Sequence, residues 1–315
     1  MRLQDARVVF FGSGEIAIPS FRRLIAEGPR PLALVTQPDK PAGRHRELTP
    51  PPIKRIALEA GIAVLQPESV REEASLDELR ALAPDLIVVM AYGQILPKAL
   101  IAIPRIACIN LHASLLPRHR GASCIQAAID DGDAETGITV MHMVPKLDAG
   151  DIIHAESTRI AGDETGSTLH DRMAGLAADA LFAALPGLLD GTAPRIPQDP
   201  EQVTYAPKLG RDDGRIDWAW EAPRIERRIR AYHPWPGTWT TLDDGHGPKR
   251  FKIFPAKAGV ESTGEPGAFS LSGTGVPRVA CGSGHLVLGE VQADGSRRMD
   301  ALDWAKGLRG QPVIH

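Results

Sequence analysis

What most limits how this chain can fold is an alternation running through its first 112 residues. Short apolar runs, "ARVVFFG", "PLALVT", "IAVLQ", "DLIVVMA" and "IACINLH", are separated by segments with helical spacing: "PSFRRLIAEG", "IKRIALEAG" and "SLDELRALA". Strand-length runs that alternate with helices are joined by crossovers, and crossovers build parallel sheets. The expected fold class is therefore α/β, with a doubly wound, mostly parallel sheet. In such sheets ligands gather outside the carboxyl ends of the strands. The Ser of "SLDELRALA" reads as that helix's cap.

The texture changes later. "GITVMHMVPKLDAGDIIHAES" reads as two strands joined by a turn, with Pro145, Asp148, Gly150 and Asp151 as turn residues. A long helix, "GSTLHDRMAGLAADALFAALPGLLDG", follows with Ser167 as its expected cap. "GTAPRIPQDPEQ" is polar, Pro-rich and without periodicity, and reads as a linker. Beyond it comes one helical segment, "APRIERRIRAY". Strand candidates then recur between turns: "GTWTTLDD", "KRFKIFPA", "GVPRVAC" and "GHLVLGEVQ". That pattern predicts a smaller C-terminal β-barrel, OB-like in type. With 315 residues, two domains are expected: 1–190, a linker at 191–206, and 207–315.

The longest apolar runs are strand-length, none approaching the roughly 20 residues that span a bilayer. The N-terminus lacks the apolar core of a signal peptide. The three cysteines, Cys108, Cys124 and Cys281, are spaced neither as a disulfide framework nor as a zinc site. A cytoplasmic, monomeric protein without membrane contact is expected. Net charge is −3, unevenly placed: from Tyr205 onward there are 16 Lys and Arg against 13 Asp and Glu. The mild positive excess there permits a polyanionic partner without requiring one.

Several motifs could carry chemistry. "GSGEIA" sits between a strand and a helix, as in dinucleotide-binding turns, but the next strand ends in "VTQ". The acidic residue that would hold a ribose hydroxyl is missing, so the glycines read as turn formers, not as a cofactor cradle. "TQPDKPAGRHRELTPPPIK" is a long loop with a cluster of Lys40, Arg44, His45, Arg46 and Lys54. Long loops in compact domains are usually functional, and basic ones suit phosphate backbones. In "INLHASLLPRHRG", Asn110 and His112 lie two apart at a strand end and so point the same way. An amide and an imidazolium aimed at one spot can stabilise an oxyanion, provided a carboxylate supports the His. Asp148 is the best candidate for that carboxylate and Asp151 the second. His142 and His154 read as packing or surface residues, not metal ligands, and Cys124 as structural.

These segments, with "VVMAYGQILP", "GDAETGITVMHM", "LDAGDI", "VTYAPKL", "GRIDW" and "IRAYHPWPGTW", resemble the folate-dependent formyltransferases nearly from end to end. The Thr36–Arg44 loop and "HPWPGTW" narrow the resemblance to the branch that formylates methionyl-tRNA. The resemblance implies a Rossmann-like catalytic domain and a C-terminal β-barrel. It implies 10-formyltetrahydrofolate as formyl donor, initiator Met-tRNA as acceptor, and no metal. It places the catalytic trio on Asn110, His112 and Asp148. The folate would lie against Ser114, Leu115, Leu116 and Pro117, with Met90 and Tyr92 beside the pterin. The tRNA would meet Arg44, Lys40, Arg46 and Lys208. The chain departs from the family at Ala122-Ser123-Cys124, at "GSGEIAIPS" and at Pro145-Lys146, all on the expected pocket rim. Enzymes formylating an amino-sugar nucleotide, or hydrolysing the folate, would share the trio. A catalytically silent tRNA-binding or NAD-binding protein is the reading from another class.

Overall fold

The computed structural model describes residues 2–42, 47–245, 247–261, 264–308 and 310–315. The chain forms two compact units: Met1–Cys124, Glu135–Thr158 and His170–Ala206 in the first, and Ile125–Ala134, Arg159–Leu169 and Pro207–His315 in the second. Two short stretches from the first 190 residues thus cluster with the C-terminal part.

In chain order the first 190 residues carry β1 (Val8–Gly12), α1 (Ile18–Ala26), β2 (Ala33–Val35), β3 (Lys40–Ala42), β4 (Glu47–Thr49), α2 (Pro52–Glu59), β5 (Ala63–Leu65) and α3 (Glu73–Ala81). β6 (Leu86–Met90), α4 (Lys98–Ile101), β7 (Ala107–His112), α5 (Cys124–Asp130), β8 (Glu135–His142), β9 (Ile152–Arg159) and α6 (Gly166–Asp190) complete them. Seven strands make one sheet in the order β5-β2-β1-β6-β7-β8-β9. The first five run parallel, and β8 returns antiparallel to β7. This is the doubly wound, mostly parallel sheet that the alternation predicts. Its order reverses between β1 and β6, which opens a crevice at their carboxyl ends.

The central strands are buried at every position because both faces are covered. Phe10 faces α1, its ring 5.2 Å from that of Phe21. Val9 and Phe11 point the other way, into a cluster with Leu76 and Leu79 of α3 and Leu100 of α4. Asp85, only 1% exposed, accepts the Arg7 amide at 2.9 Å and is paired with Arg105. This carboxylate ties the starts of β1, β6 and β7 together.

Two expected caps lie elsewhere. Helix α3 begins at Glu73, ahead of Ser75, whose hydroxyl instead donates to the Ser69 carbonyl. At α6, Thr165 and Thr168 exchange hydroxyl–amide bonds at 2.9 and 3.2 Å, so Thr165, not Ser167, caps the helix. By length and composition α6 could cross a membrane, with an 18-residue window of mean hydropathy 1.4, half of it buried. The apolar runs do not reveal this because Asp171, Arg172 and Asp179 interrupt them. Met173, Ala177, Leu181, Ala184 and Leu188 recur at helical spacing and are buried, as a core helix requires.

Residues 191–206, read as a linker, are hydrogen-bonded along the first unit. Ile196 bridges to Ile152 of β9, and Tyr205 to Arg120.

The second unit carries α7 (Ala222–Ala231), β10 (Thr238–Asp243), β11 (Pro248–Ile253), β12 (Ala256–Gly259), β13 (Phe269–Leu271), β14 (Pro277–Ala280), β15 (His285–Leu288), β16 (Glu290–Ala293), β17 (Met299–Asp300), α8 (Ala301–Lys306) and β18 (Val313–Ile314). Its strands form two antiparallel sheets, β17-β16-β11-β10-β18 and β12-β15-β14-β13. "GHLVLGEVQ", read as one strand, breaks into β15 and β16, which join different sheets. Phe251, Leu242, Val279, Leu286 and Val291 fill the core between them, with Ile225 and Ile229 of α7.

Asp85→Ala leaves the Arg7 amide without its acceptor and should destabilise the protein by about 1–3 kcal/mol. Urea unfolding should show a lower midpoint with an unchanged slope.

Candidate active site

Asn110 and His112 occupy alternate positions at the carboxyl end of β7, on the same side of the strand. β8 lies against them in antiparallel register, Asn110 opposite Met141 and His112 opposite Thr139. Thr139 is fully buried and fixes the turn that leaves β7. Its hydroxyl donates to the Ser114 carbonyl at 2.7 Å and accepts the Leu116 amide at 3.0 Å. The Ser114 hydroxyl then donates to the Arg118 carbonyl at 2.7 Å. His119, at φ 56°, turns its own carbonyl back to the ring of His112, 2.9 Å from Nε2. A carbonyl can only accept, so Nε2 carries a hydrogen.

Nδ1 faces Asp148 Oδ2 at 3.7 Å. That is an ion-pair distance when the ring is protonated and too long for a direct hydrogen bond. Asp148 sits in the β8–β9 turn at φ 44°, a left-handed conformation that Asp tolerates better than most residues. Three contacts hold it there. The Gly121 amide donates to Oδ2 at 2.8 Å, and the Gln198 side-chain amide donates to the carbonyls of Asp148 and Gly150, both at 2.8 Å. Arg120, itself buried, donates to the other end of Gln198 at 2.7 and 3.0 Å. Gly121 has φ 120° and packs against the Ala206 carbonyl, where a Cβ would fall at 2.4 Å. At Gly150 a Cβ would stand 1.7 Å from the His142 carbonyl, so only glycine lets the hairpin close.

Beside this group lies a cavity of about 190 Å³. Ala91, Tyr92 and Gly93, just past β6, form one wall; Met141, Met143, Val144 and Leu147 form another, and Asn110 and Asp148 stand at its polar end. The Asn110 side chain has no hydrogen-bond partner in the protein among the described residues. Tyr92 is 2% exposed and its hydroxyl, also lacking a partner, is held protonated by burial. Cys108, lower on β7, has its thiol pushed up to about 12 by burial and is inert.

The expected residues separate accordingly. Asn110, Asp148 and Tyr92 line the cavity, and His112 is paired with Asp148. Met90, Ser114, Leu115, Leu116 and Pro117 do not line it: Met90 is in the sheet core, and Ser114–Pro117 belong to the turn behind the site. Asp151, the second candidate carboxylate, stands 3.8 Å from Arg195 and not beside His112. Lys40 is exposed on β3, and Lys208 is exposed at the start of the second unit's long segment. Arg44 and Arg46 lie outside the described residues. In the "GSGEIA" turn, the Ser13 and Gly14 amides are taken by the Ala91 carbonyl and the Ser13 hydroxyl by Thr36, so no cradle for a dinucleotide phosphate remains. Among the described residues no group of His, Cys, Asp and Glu could hold a metal ion. Burial lowers the pKa of His142, and Arg195 adds to this against the opposing pull of Asp151. Sequence reasoning places Pro145 and Lys146 on the pocket rim, where they line the cavity, and misses Thr139, Gln198, Met141, Met143, Val144 and Leu147. The "TVMHMVPKL" run before Asp148 carried the signal for the wall; nothing local marked Thr139 or Gln198.

Residues 6–185 match the family described as "Formyl transferase", and residues 208–309 match "Formyl transferase, C-terminal domain". The chain is 54% identical over 311 residues to the methionyl-tRNA formyltransferase of Akkermansia muciniphila, covering 98% of this chain and 99% of the relative. It is 45% identical over 306 residues to that of Citrifermentans bemidjiense, covering 97% and 95%. Among solved structures, the N-formyltransferase from Helicobacter canadensis in complex with folinic acid and dTDP-3-aminofucose superposes with a TM-score of 0.67 at 14% identity, covering 93% of this chain and all of that one.

Thr139→Val keeps the shape but leaves the Ser114 carbonyl and the Leu116 amide unsatisfied. It should cost about 1–3 kcal/mol of stability. Amide exchange should rise first in residues 114–121; protection as in the unchanged protein would contradict this account of the turn.

Proposed function

The chain belongs to the formyl transferase family, and we propose that its reaction runs in the cavity beside Asn110. It is a transferase that moves a formyl group from a folate-derived donor to methionyl-tRNA, in translation initiation. We assign 10-formyltetrahydrofolate as the donor, initiator Met-tRNA as the acceptor, and a cytoplasmic monomer as the working form. The observation that carries the site assignment is one free amide, that of Asn110, at the polar end of an apolar cavity and next to the His112–Asp148 pair.

The α-amine of the aminoacyl end attacks the formyl carbon, and the carbonyl π pair moves onto oxygen. Asn110 donates to that oxygen. Protonated His112 donates from Nδ1, because the 3.7 Å gap to Asp148 leaves this hydrogen uncommitted while Nε2 stays on the His119 carbonyl. Asp148 stabilises the imidazolium and takes the proton that the attacking nitrogen must lose. The C–N10 bond then breaks, N10 leaves with a proton, and the formylated amine is released. No covalent enzyme intermediate is involved. The pterin lies along the Ala91–Gly93 segment, where backbone groups can read its edge. Ser114–Pro117 support this pocket from the turn behind it.

Lys40, Arg44, Arg46 and Lys208 supply cations for the tRNA backbone, which position the acceptor without reading its sequence. An amino-sugar nucleotide as acceptor is not favoured: the sugar-enzyme neighbour shares 14% identity, the methionyl-tRNA enzymes 45–54%.

Offered formyl-folate with Met-tRNA, with an amino-sugar nucleotide, or with buffer alone, the enzyme should formylate only the tRNA. Asn110→Ala should lower kcat by roughly 10²- to 10³-fold, the effect of losing one oxyanion donor. Asp148→Asn should abolish turnover while a folate analogue still binds in calorimetry; loss of both would make Asp148 a folding residue. Separately, Arg44→Ala should raise KM for Met-tRNA far more than KM for the folate. Equal losses on the two substrates would remove that loop from tRNA recognition.

A further inference from the structure

The second unit contains a cavity of about 750 Å³ that the reaction above does not use. Its floor is the outer face of β10 and β11. Thr238, Thr240, Phe251 and Ile253 point into the core, so the alternate residues Trp239, Arg250 and Lys252 point out. Trp239 lies opposite Lys252 in the register, and the Arg250 guanidinium sits 3.9 Å above its ring. Trp235, in the turn between α7 and β10, contributes a second indole that is 53% exposed.

The charge lining this cavity is one-sided, with six Lys or Arg against two Asp. Some of it is committed elsewhere. Arg250 lies 3.6 Å from Asp212, Lys257 is 3.2 Å from Glu226, and Arg298 pairs with Glu290. Lys252 and Arg211 have no carboxylate partner among the described residues. Arg230 donates to the Glu164 carbonyl at 2.8 Å, but its Nε is buried with no acceptor.

A half-open indole beside unpaired cations specifies a ligand that is both flat and anionic. An apolar peptide would leave the cations without partners, and a bare phosphate would leave the indoles uncovered. A nucleoside phosphate satisfies both: its base stacks on an aromatic or guanidinium plane and its phosphate takes Lys or Arg. The volume falls within the ~300–1,000 Å³ of small-ligand clefts.

We propose that this cavity is a stacking subsite for one unpaired nucleotide of an RNA strand, its base on Trp235 and the Trp239–Arg250 platform and its phosphate on Lys252 and Arg211. The proposal rests on the reading that the acceptor is a tRNA. It adds a contact that holds a base without reading its identity.

The test uses the full-length enzyme and two probes, a short unstructured oligouridylate carrying a dye and free adenosine monophosphate. By fluorescence anisotropy the oligonucleotide should bind. Trp235→Ala should weaken it by roughly 5- to 100-fold, the effect of one lost base stack, and Trp235→Phe should restore most of the affinity. Lys252→Ala should reduce the slope of log affinity against log salt by about 0.7. With Met-tRNA, Trp235→Ala should raise KM and leave kcat and the folate KM unchanged. Oligonucleotide affinity that is the same in both alanine variants and the wild type would overturn the subsite. Adenosine monophosphate binding as tightly as the oligonucleotide, and not displaced by it, would overturn the RNA strand as its occupant. If the wild type fails to formylate Met-tRNA but still binds oligouridylate through Trp235, the acceptor reading fails and the subsite stands.

Discussion

The antiparallel return of β8 against β7 is the constraint on which the site depends. A fully parallel continuation would carry the chain away behind a crossover helix. The return instead stands the end of β8, His142, opposite Ile109, and the turn that follows folds back toward the carboxyl end of β7. Asn110 and His112 stand on β7 itself, and Asp148 meets His112 from that turn. Register matters as much as direction: Thr139 must stand opposite His112 for its hydroxyl to reach both Ser114 and Leu116. A slip of one residue would turn Thr139 to the other face.

The polar groups around His112 and Asp148 form a chain and not a set of separate contacts. Arg120 holds Gln198, Gln198 holds the Asp148 turn, the Gly121 amide holds the Asp148 carboxylate, and the His119 carbonyl fixes the His112 ring. Hydrogen bonds to charged groups each contribute about 1.5–3 kcal/mol, and leaving a buried member unpaired costs as much again. Such an arrangement keeps the His112 and Asp148 side chains at a fixed separation before substrate arrives. Preorganisation of that kind is where most electrostatic stabilisation of a transition state originates. The Asn110 amide, by contrast, is left uncommitted on a strand paired on both sides, and that frees it for a ligand.

Much of this was legible in the residues. The strand–helix alternation identified the parallel sheet because burial on both faces leaves continuous apolar runs such as "DLIVVM". The two-residue spacing of Asn110 and His112 reported their common direction because strand geometry has no other option. Asp148 was readable because the turn residues around it place it at a strand end. What stayed hidden depends on distance along the chain. Gln198 lies 50 residues beyond Asp148, in a stretch that looks like a linker because its hydrogen bonds go to another element and not to itself. The misplaced cap at α6 has a local cause, since Thr165, Ser167 and Thr168 stand close together, whereas α3 starts after Glu72 without any side-chain cap. The strand "GHLVLGEVQ" concealed a break because each half alone has the alternation of a strand. Ser114–Pro117 read as ligand contacts from resemblance; within the protein the Ser114 hydroxyl and the Leu116 amide hold the turn.

The backbone of Asp148 carries one more implication. At φ 44° the residue occupies a region that side chains branched or crowded at Cβ enter only with strain, and that Asn, Asp and Gly enter most readily. A longer acid would keep the charge but would fit this dihedral less well and carry its oxygens past the Gly121 amide. The choice of the shorter carboxylate here is therefore settled by main-chain geometry before any chemistry is considered. Sequence drift at this site is confined to a very small alphabet, whatever substrate a descendant of the enzyme comes to use.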